Sequence, residues 1–247
     1  MNKPSPTVSH VVTSDGQRIA LDHYRGGHRS VVVIVHGFFN SKNAVLMQAL
    51  AGELLPKWDV IVMDLRGHGH STGLFTWTAL EDRDVIAVLE YARTRYPKTG
   101  VVGFSLGAAI SLIVASRTDL IDSLVSVSAP TKFSKIEFHF WRLDPENDIL
   151  YNLKEGRIGK GVRPGPFWLK KEGPIAVVDK ITNPVLFLHG TGDWLVRSWH
   201  SQRLYETARC PKKLVLVDNG PHAEYLVRKN REETVNGIKG WLSDTLA

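Results

Sequence analysis

Cysteine is nearly absent from the 247-residue chain, which contains Cys210 alone. A single cysteine excludes an internal disulfide and a metal cluster held by several thiolates, and it suits a reducing compartment. No stretch approaches the roughly 20 consecutive apolar residues that a membrane-spanning helix needs. The opening segment, MNKPSPTVSH, lacks the apolar run of a secretory signal. We therefore expect a cytoplasmic protein without a membrane span.

Long runs of positive charge are also missing, although the formal net charge is +6 and the isoelectric point is near 9.4. Basic residues alternate with acidic ones, as in VRKNREE, so the charge predicts a solvated basic surface and no nucleic-acid partner. The remaining composition, 43% hydrophobic and 23% charged, is typical of a globular protein with a sizeable core.

Short apolar runs bounded by turn residues alternate along the chain with helical patterns. The candidate strands are 30–37, 59–67, 99–105, 122–130, 183–193 and 212–220. The candidate helices are 78–97, 106–117, 198–208 and 231–246, and a hairpin turning at Asp15-Gly16 precedes them all. Near-continuous apolar strands need a sheet that is covered on both faces. The pattern therefore predicts an α/β fold with a mostly parallel central sheet and helices on both faces.

Residues 131–172 interrupt this alternation with a mixture of aromatic, charged, glycine and proline residues. The segment is too long for a simple loop, so we expect a small cap inserted over one end of the sheet. Residues 1–130 and 173–247 then form the core. The cap aromatics form either a small satellite core or the wall of an apolar pocket, and Trp141 is our candidate among them for substrate binding.

Ser105 lies in Gly103-Phe104-Ser105-Leu106-Gly107, between a candidate strand and a candidate helix. This is the setting of a nucleophile elbow, in which small residues on both sides of the serine let strand and helix approach closely. A serine hydroxyl is a weak nucleophile and needs a base that is oriented by an acid. Asp193 and His222 each follow a later strand, and the order Ser, Asp, His is typical of such a site.

Asp218 is a rival acid, but it belongs to the same strand-to-loop stretch as His222. An acid from a neighbouring strand is better placed to reach the far nitrogen of the imidazole, which favours Asp193. The alternative acid position after the preceding strand reads Ser128-Ala129-Pro130-Thr131 and has no carboxylate.

The turn after the first parallel strand, His36-Gly37-Phe38-Phe39, indicates an oxyanion hole. The backbone N–H groups of Phe38 and Leu106 are its expected donors. Five residues neighbour the candidate catalytic residues in sequence and are therefore expected to border the substrate cavity. These are Phe38, Phe39, Leu106, Trp194 and Leu195.

Several other polar residues are interpreted as structural. His36 and His189 each precede a glycine at a strand end and are expected to orient local backbone. His68 and His70 have no carboxylate or cysteine at ligand spacing, so a role in shaping their loop is favoured over a metal site, and Arg66 is expected to fix that loop. Glu224 is interpreted as an acid at the start of a helix.

Taken as a set, these motifs resemble the α/β-hydrolase superfamily, nearest to its serine esterase, lipase and serine aminopeptidase-like members. The residues that carry the resemblance are His36-Gly37, residues 64–71 (DLRGHGHS), Gly103 to Gly107, residues 189–193 (HGTGD) and Gly220-Pro221-His222. The resemblance implies acyl transfer to water through a covalent acyl-enzyme, with no cofactor and no metal. Serine at the elbow, in place of aspartate, argues against dehalogenase and epoxide hydrolase activities.

The expected function is therefore that of a serine carboxylesterase acting on a small-molecule ester with a short to medium or aromatic acyl group. The same three residues would serve a thioesterase, an amidase or aminopeptidase, or a hydrolase of carbon–carbon bonds. A non-catalytic ligand-binding protein on the same fold is the rival from a different class. The sequence contains no pattern that marks an oligomer interface.

Overall fold

One mixed sheet forms the centre of the protein in a computed structural model that describes residues 5–136 and 161–246. Its strands are β1 (Thr7–Val12), β2 (Arg18–Tyr24), β3 (Ser30–Val35), β4 (Asp59–Met63), β5 (Lys98–Phe104), β6 (Ser123–Val127), β7 (Val185–Gly190) and β8 (Lys212–Val217). Their order across the sheet is β1-β2-β4-β3-β5-β6-β7-β8. The β1–β2 and β2–β4 pairs are antiparallel, and the pairs from β4 to β8 are parallel.

Helices cover both faces of this sheet. They are α1 (Val45–Leu54), α2 (Asp82–Arg93), α3 (Leu106–Ala115), α4 (Trp199–Thr207), α5 (Tyr225–Lys229) and α6 (Arg231–Thr245). Successive residues of a strand point to opposite faces. Val33 of β3 accordingly packs in a core with α2, α3 and α4, whereas Ile34 packs in a second core with α1, α5 and α6.

The fold class predicted from the sequence is confirmed, including the leading hairpin and all six strands of the parallel portion. Gly16 has a φ of 81° in the turn between β1 and β2, a conformation that favours glycine. Helix α1 was not predicted. The helical spacing of its buried residues is visible in hindsight, since Leu46, Leu50 and Leu54 recur every four positions.

The cap that the sequence predicts at 131–172 falls largely on residues 137–160, which lie outside the described residues, and so does Trp141. The described part around residue 163 runs beside the loop that follows β4. The N–H of Arg163 donates to the carbonyl of Gly67 at 2.7 Å, and the N–H of Phe75 donates to the carbonyl of Arg163 at 2.8 Å. The division into core and cap stays a prediction.

None of the helices in residues 5–136 and 161–246 combines the length and the apolar character needed to cross a membrane.

Candidate active site

Ser105 occupies a sharp turn between β5 and α3. Its φ of 49° and ψ of −108° are strained for a residue with a side chain. The glycines two residues before and two residues after Ser105 make the turn possible. A Cβ at Gly103 would lie 2.7 Å from the Cα of Ala108, and a Cβ at Gly107 would lie 2.4 Å from the carbonyl oxygen of Val35. The expectation that small residues let strand and helix approach closely is met in this geometry.

The structure brings Ser105, His222 and Asp193 together in one hydrogen-bonded chain. The Oγ of Ser105 is 3.0 Å from Nε2 of His222, and Nδ1 of His222 is 2.7 Å from Oδ2 of Asp193. The carboxylate of Asp193 accepts a hydrogen bond from Nδ1, so Nδ1 carries the proton of the neutral imidazole. Nε2 is therefore left to accept the proton of the serine hydroxyl. The three side chains arrive from the ends of β5, β7 and β8, the carboxyl edge of the parallel strands.

The Asp193 carboxylate is fully buried and well satisfied. Its Oδ1 accepts hydrogen bonds from the backbone N–H groups of Leu195 and Val196, at 3.0 and 2.8 Å. Burial by itself raises the pKa of this carboxyl, but the attraction of His222 and hydrogen bonds from His189 and His222 hold the pKa well below its usual range. Asp193 is therefore an anion ready to stabilise a protonated His222.

His189 is a second histidine against Asp193, a contact that its position before a glycine did not reveal. Its Nε2 lies 3.2 Å from Oδ2 of Asp193 and 2.7 Å from the carbonyl oxygen of Val196. Its Nδ1 lies 2.7 Å from the hydroxyl of Ser201 in α4. His189 thus orients local backbone, as expected, and also holds the acid in place.

Asp218, the rival acid, takes no part in the hydrogen bonds that link Asp193, His222 and Ser105. Its side chain is exposed and accepts hydrogen bonds from Oγ1 of Thr191 at 3.3 Å and Nδ2 of Asn219 at 3.0 Å. The loop carrying His222 is anchored elsewhere, since the N–H of Ala223 donates to the hydroxyl of Ser128 at 3.1 Å.

Two backbone N–H groups flank Ser105, as an oxyanion hole requires. Leu106 is the first residue of α3, and a first-turn amide has no acceptor inside its own helix. Phe38 follows Gly37 in the turn after β3. Within the described parts of the chain, neither N–H has a hydrogen-bond acceptor. Both amides are thus available to a negatively charged oxygen.

Buried histidines hold the loop that carries Phe38. Nε2 of His36 accepts from the N–H of Leu65 at 3.1 Å, so its Nδ1 donates to the carbonyl of Gly37 at 2.7 Å. Nε2 of His68 lies 3.4 Å from the N–H of Phe39, and its Nδ1 lies 3.0 Å from the carbonyl oxygen of Arg66. Burial lowers the pKa of His36 to about 4 and that of His68 to about 3, so both are neutral near pH 7.

Arg66 fixes the same loop from outside, as expected from the sequence. Its guanidinium bonds Asp84 of α2 through Nε at 2.8 Å and pairs with Asp15 of the β1–β2 turn at 2.8 Å. His70 is exposed, with Nδ1 at 3.7 Å from Asp64. Over residues 5–136 and 161–246, no cluster of three or more His, Cys, Asp or Glu side chains is arranged to hold a metal ion.

A pocket of about 160 Å³ opens beside Ser105. Its described lining comprises Gly37, Phe38, Ser105, Trp194, Leu195, His222, Glu224 and Tyr225. Trp194 and Leu195 thus border the cavity, as the sequence predicts. The side chain of Phe38 stacks on Trp77, with ring centroids 5.6 Å apart.

The structure adds to the expectations for Phe39, Leu106 and Glu224. Neither Phe39 nor Leu106 is among the described residues that line the pocket. Phe39 has a φ of 61° and a side chain that is more than half exposed, whereas Leu106 is fully buried. Glu224 immediately precedes α5, as expected of an acid at a helix start, although its side chain makes no capping hydrogen bond. The carboxylate is instead buried in the wall of the pocket, where it accepts from Nδ2 of Asn40 at 2.7 Å. Its position two residues after His222 was the available signal.

Comparisons with known proteins agree with this architecture. A family model for the α/β hydrolase fold matches residues 30–148. The Pyrococcus furiosus esterase Pf2001 has a TM-score of 0.79 at 21% identity, covering 98% of this chain and 93% of its own. Est1E from Butyrivibrio proteoclasticus, solved with ferulic acid bound, has a TM-score of 0.72 at 21% identity, covering 96% and 98%.

A curated relative is YqkD from Bacillus subtilis, an uncharacterized protein that is 29% identical over 210 residues. The match covers 78% of this chain and 65% of YqkD, so it spans slightly less than two thirds of that relative. With the strand order and the turn at Ser105, the family match and the structural neighbours show that the chain has the α/β-hydrolase fold.

Proposed function

We propose that the protein is a serine hydrolase that cleaves carboxylic esters through a covalent acyl-enzyme. The observation that carries the proposal is the continuous chain from Asp193 through His222 to Ser105, which ends in the wall of a pocket. A serine, a base and an orienting acid in this geometry are the parts that nucleophilic acyl transfer needs.

The first half-reaction forms the acyl-enzyme. Oγ of Ser105 attacks the ester carbonyl carbon while its proton moves to Nε2 of His222, and the anionic Asp193 stabilises the resulting imidazolium. The N–H groups of Phe38 and Leu106 receive the negative carbonyl oxygen, and each such donor is worth about 10²–10³ in rate. When the tetrahedral intermediate collapses, the bond to the alcohol breaks and His222 gives its proton to the leaving oxygen.

The second half-reaction releases the acid. A water gives a proton to Nε2 of His222 as its oxygen attacks the acyl carbon. Collapse of this second intermediate breaks the bond to Ser105, and His222 returns the proton to Oγ. The free carboxylic acid leaves, and no cofactor takes part in either step.

The size and lining of the pocket favour compact acyl groups. A volume of about 160 Å³ bordered by Phe38, Trp194 and Leu195 offers apolar contact to a short or aromatic acyl chain. Pf2001 is an esterase, which favours an ester over a thioester or an amide as the bond cleaved. Trp141, outside the described residues, stays a candidate for the same wall.

Initial rates on p-nitrophenyl acetate, butyrate and octanoate test the proposal, with wild type and Ser105→Ala compared side by side. We expect turnover by the wild type that falls with chain length, and a loss of several orders of magnitude in kcat for Ser105→Ala. Ser126→Ala is the matched control, because Ser126 is a buried serine of β6 whose hydroxyl has no described partner.

Equal rates for wild type and Ser105→Ala would rule out Ser105 as the nucleophile. The leaving group is tested on acyl thioesters, anilides and β-diketones with the same two proteins. If the wild type cleaves none of these and mass spectrometry detects no acylated Ser105, the protein is a ligand-binding member of the fold and the proposal fails.

A further inference from the structure

Glu224 places a buried carboxylate in the substrate pocket that the proposed reaction does not use. Its side chain is 8% exposed and lines the same cavity as Ser105 and His222. Among the described residues of that lining, it is the one carboxylate. A buried carboxylate is costly unless a partner compensates its charge, so its retention beside a nucleophile calls for a physical reason.

The orientation of Glu224 is set by Asn40 of the loop that carries Phe38. Oδ1 of Asn40 accepts from the N–H of Ser41 at 2.9 Å, which turns its Nδ2 towards Glu224. Nδ2 donates to Oε1 of Glu224 at 2.7 Å. Asn40 is neutral, so this hydrogen bond orients the carboxylate without compensating its charge.

The second oxygen of Glu224 lies beside Gly37, as does Ser105. A Cβ placed on Gly37 would lie 3.5 Å from the Cβ of Ser105 and 3.7 Å from Oε2 of Glu224, so both groups border the same face of Gly37. Across the described parts of the chain, no lysine, arginine or histidine forms an ion pair with Glu224. Lys42, two residues after Asn40 in the sequence, is paired with Asp22, with Nζ at 2.7 Å from Oδ1.

We propose that Glu224, oriented by Asn40, forms a subsite for a positively charged group of the substrate beside the scissile ester. The inference rests on the hydrolytic function proposed above and specifies its substrate class. A carboxylate near the oxyanion hole disfavours the negative oxygen that forms when a neutral ester is attacked. An ammonium on the substrate supplies the missing countercharge. We therefore expect Glu224 to speed the hydrolysis of positively charged esters and to slow that of neutral esters.

Pairs of esters with the same shape and different charge test the subsite. Alanine methyl ester and methyl isobutyrate differ by an ammonium in place of a methyl group on the acyl side. Protonated dimethylaminoethyl acetate and isoamyl acetate differ by an ammonium nitrogen in place of a carbon on the alcohol side. For at least one pair, we expect the wild type to favour the charged member in kcat/KM by about tenfold to a hundredfold, the range of a hydrogen bond to a charged group.

Glu224→Gln removes the charge and keeps an oxygen that can accept from Asn40. We expect this variant to lose most of the preference within the pair, through slower turnover of the charged ester and faster turnover of the neutral one. Asp218→Asn is the matched control, because it removes a carboxylate that is exposed on the neighbouring β8 loop. It should leave the preference as it is in the wild type.

If Glu224 serves only to hold the loop of Asn40, Glu224→Gln changes both members of a pair by the same factor, and the proposal is overturned. The proposal also fails if the wild type shows no preference in either pair. A binding measurement distinguishes a failure of the Glu224 subsite from a failure of the proposed hydrolytic function. Calorimetry with Ser105→Ala, which keeps the ester intact, should show tighter binding of the charged member, lost in Ser105→Ala/Glu224→Gln even if no ester is turned over.

Discussion

Gly107 shows how strictly a single residue can be constrained by close backbone approach. A methyl group at this position meets the carbonyl oxygens of Val35 and His36 at 2.4 and 2.5 Å, and neither atom belongs to a flexible side chain. The helix α3 must therefore retreat from β3 if any side chain is introduced, and the turn at Ser105 must open with it.

We expect Gly107→Ala to lower the free energy of unfolding by about 3 kcal/mol, because overpacking against backbone cannot relax locally. Gly52→Ala is the control. Gly52 is exposed in α1 with open space at its Cβ, so alanine should stabilise the helix by about 0.5–1 kcal/mol. Denaturant titrations monitored by circular dichroism measure both values. A Gly107→Ala protein as stable as wild type would contradict the close approach.

Asp193 and Asp218 allow a direct test of which carboxylate orients His222. Asp193→Asn should lower kcat by up to about 10⁴-fold, because asparagine cannot stabilise the imidazolium and favours the wrong tautomer. Asp218→Asn should leave kcat within about twofold of wild type, since solvated surface groups contribute little. Steady-state ester hydrolysis by the two variants checks this, and a larger loss in Asp218→Asn would reverse the assignment.

At the scale of elements, Arg66 joins three parts of the chain that are distant in sequence. Its guanidinium is 3% exposed and bonds Asp84 of α2 and Asp15 of the β1–β2 turn, while its own backbone belongs to the loop after β4. Attraction and hydrogen bonds from Arg66 hold the pKa of the Asp15 carboxyl well below its usual range. The loop of His68, which contacts the backbone of Phe39, is held by this junction.

Arg66→Ala should destabilise the protein by about 3–5 kcal/mol, because it leaves the fully buried Asp84 without its countercharge. Arg83→Ala is the control: Arg83 also reaches Asp15, at 3.3 Å, but its side chain is 42% exposed. That substitution should cost less than about 0.5 kcal/mol. Chemical denaturation measures both. Equal effects would mean that the junction contributes no more than a surface ion pair.

Across the whole molecule, buried neutral histidines should make stability depend on pH in a defined window. The pKa of His36 falls from 6.5 to about 4 on folding, because burial disfavours the charged imidazole. Between these values the unfolded chain binds the extra proton. Stability from this residue is therefore complete above pH 6.5 and declines as the pH falls towards 4.

The expected slope from His36 is about 1.4 kcal/mol per pH unit within that window. His36→Gln removes the titrating group while leaving an oxygen that can accept from Leu65. Its free energy of unfolding, measured by urea titration from pH 7 to pH 4, should decline less steeply than that of the wild type by this amount. Parallel curves for the two proteins would show that His36 does not couple folding to protonation.

Local patterns were sufficient for much of this protein. The β-branched runs identified the parallel strands because strands buried on both faces must be apolar along their length. The glycines around Ser105 marked the turn because only glycine fits a backbone approach that close. The order of Ser105, Asp193 and His222 followed from strand ends that meet at one edge of a parallel sheet.

The remaining features depended on side-chain direction, which spacing along the chain does not encode. Glu224 follows His222 closely, yet only the packing of α5 against the Asn40 loop turned its carboxylate into the pocket. Phe39 neighbours Phe38, yet its positive φ directs its side chain towards solvent. Such choices are made by contacts between residues far apart in sequence, 184 positions for Asn40 and Glu224, and so they exist only in the folded chain.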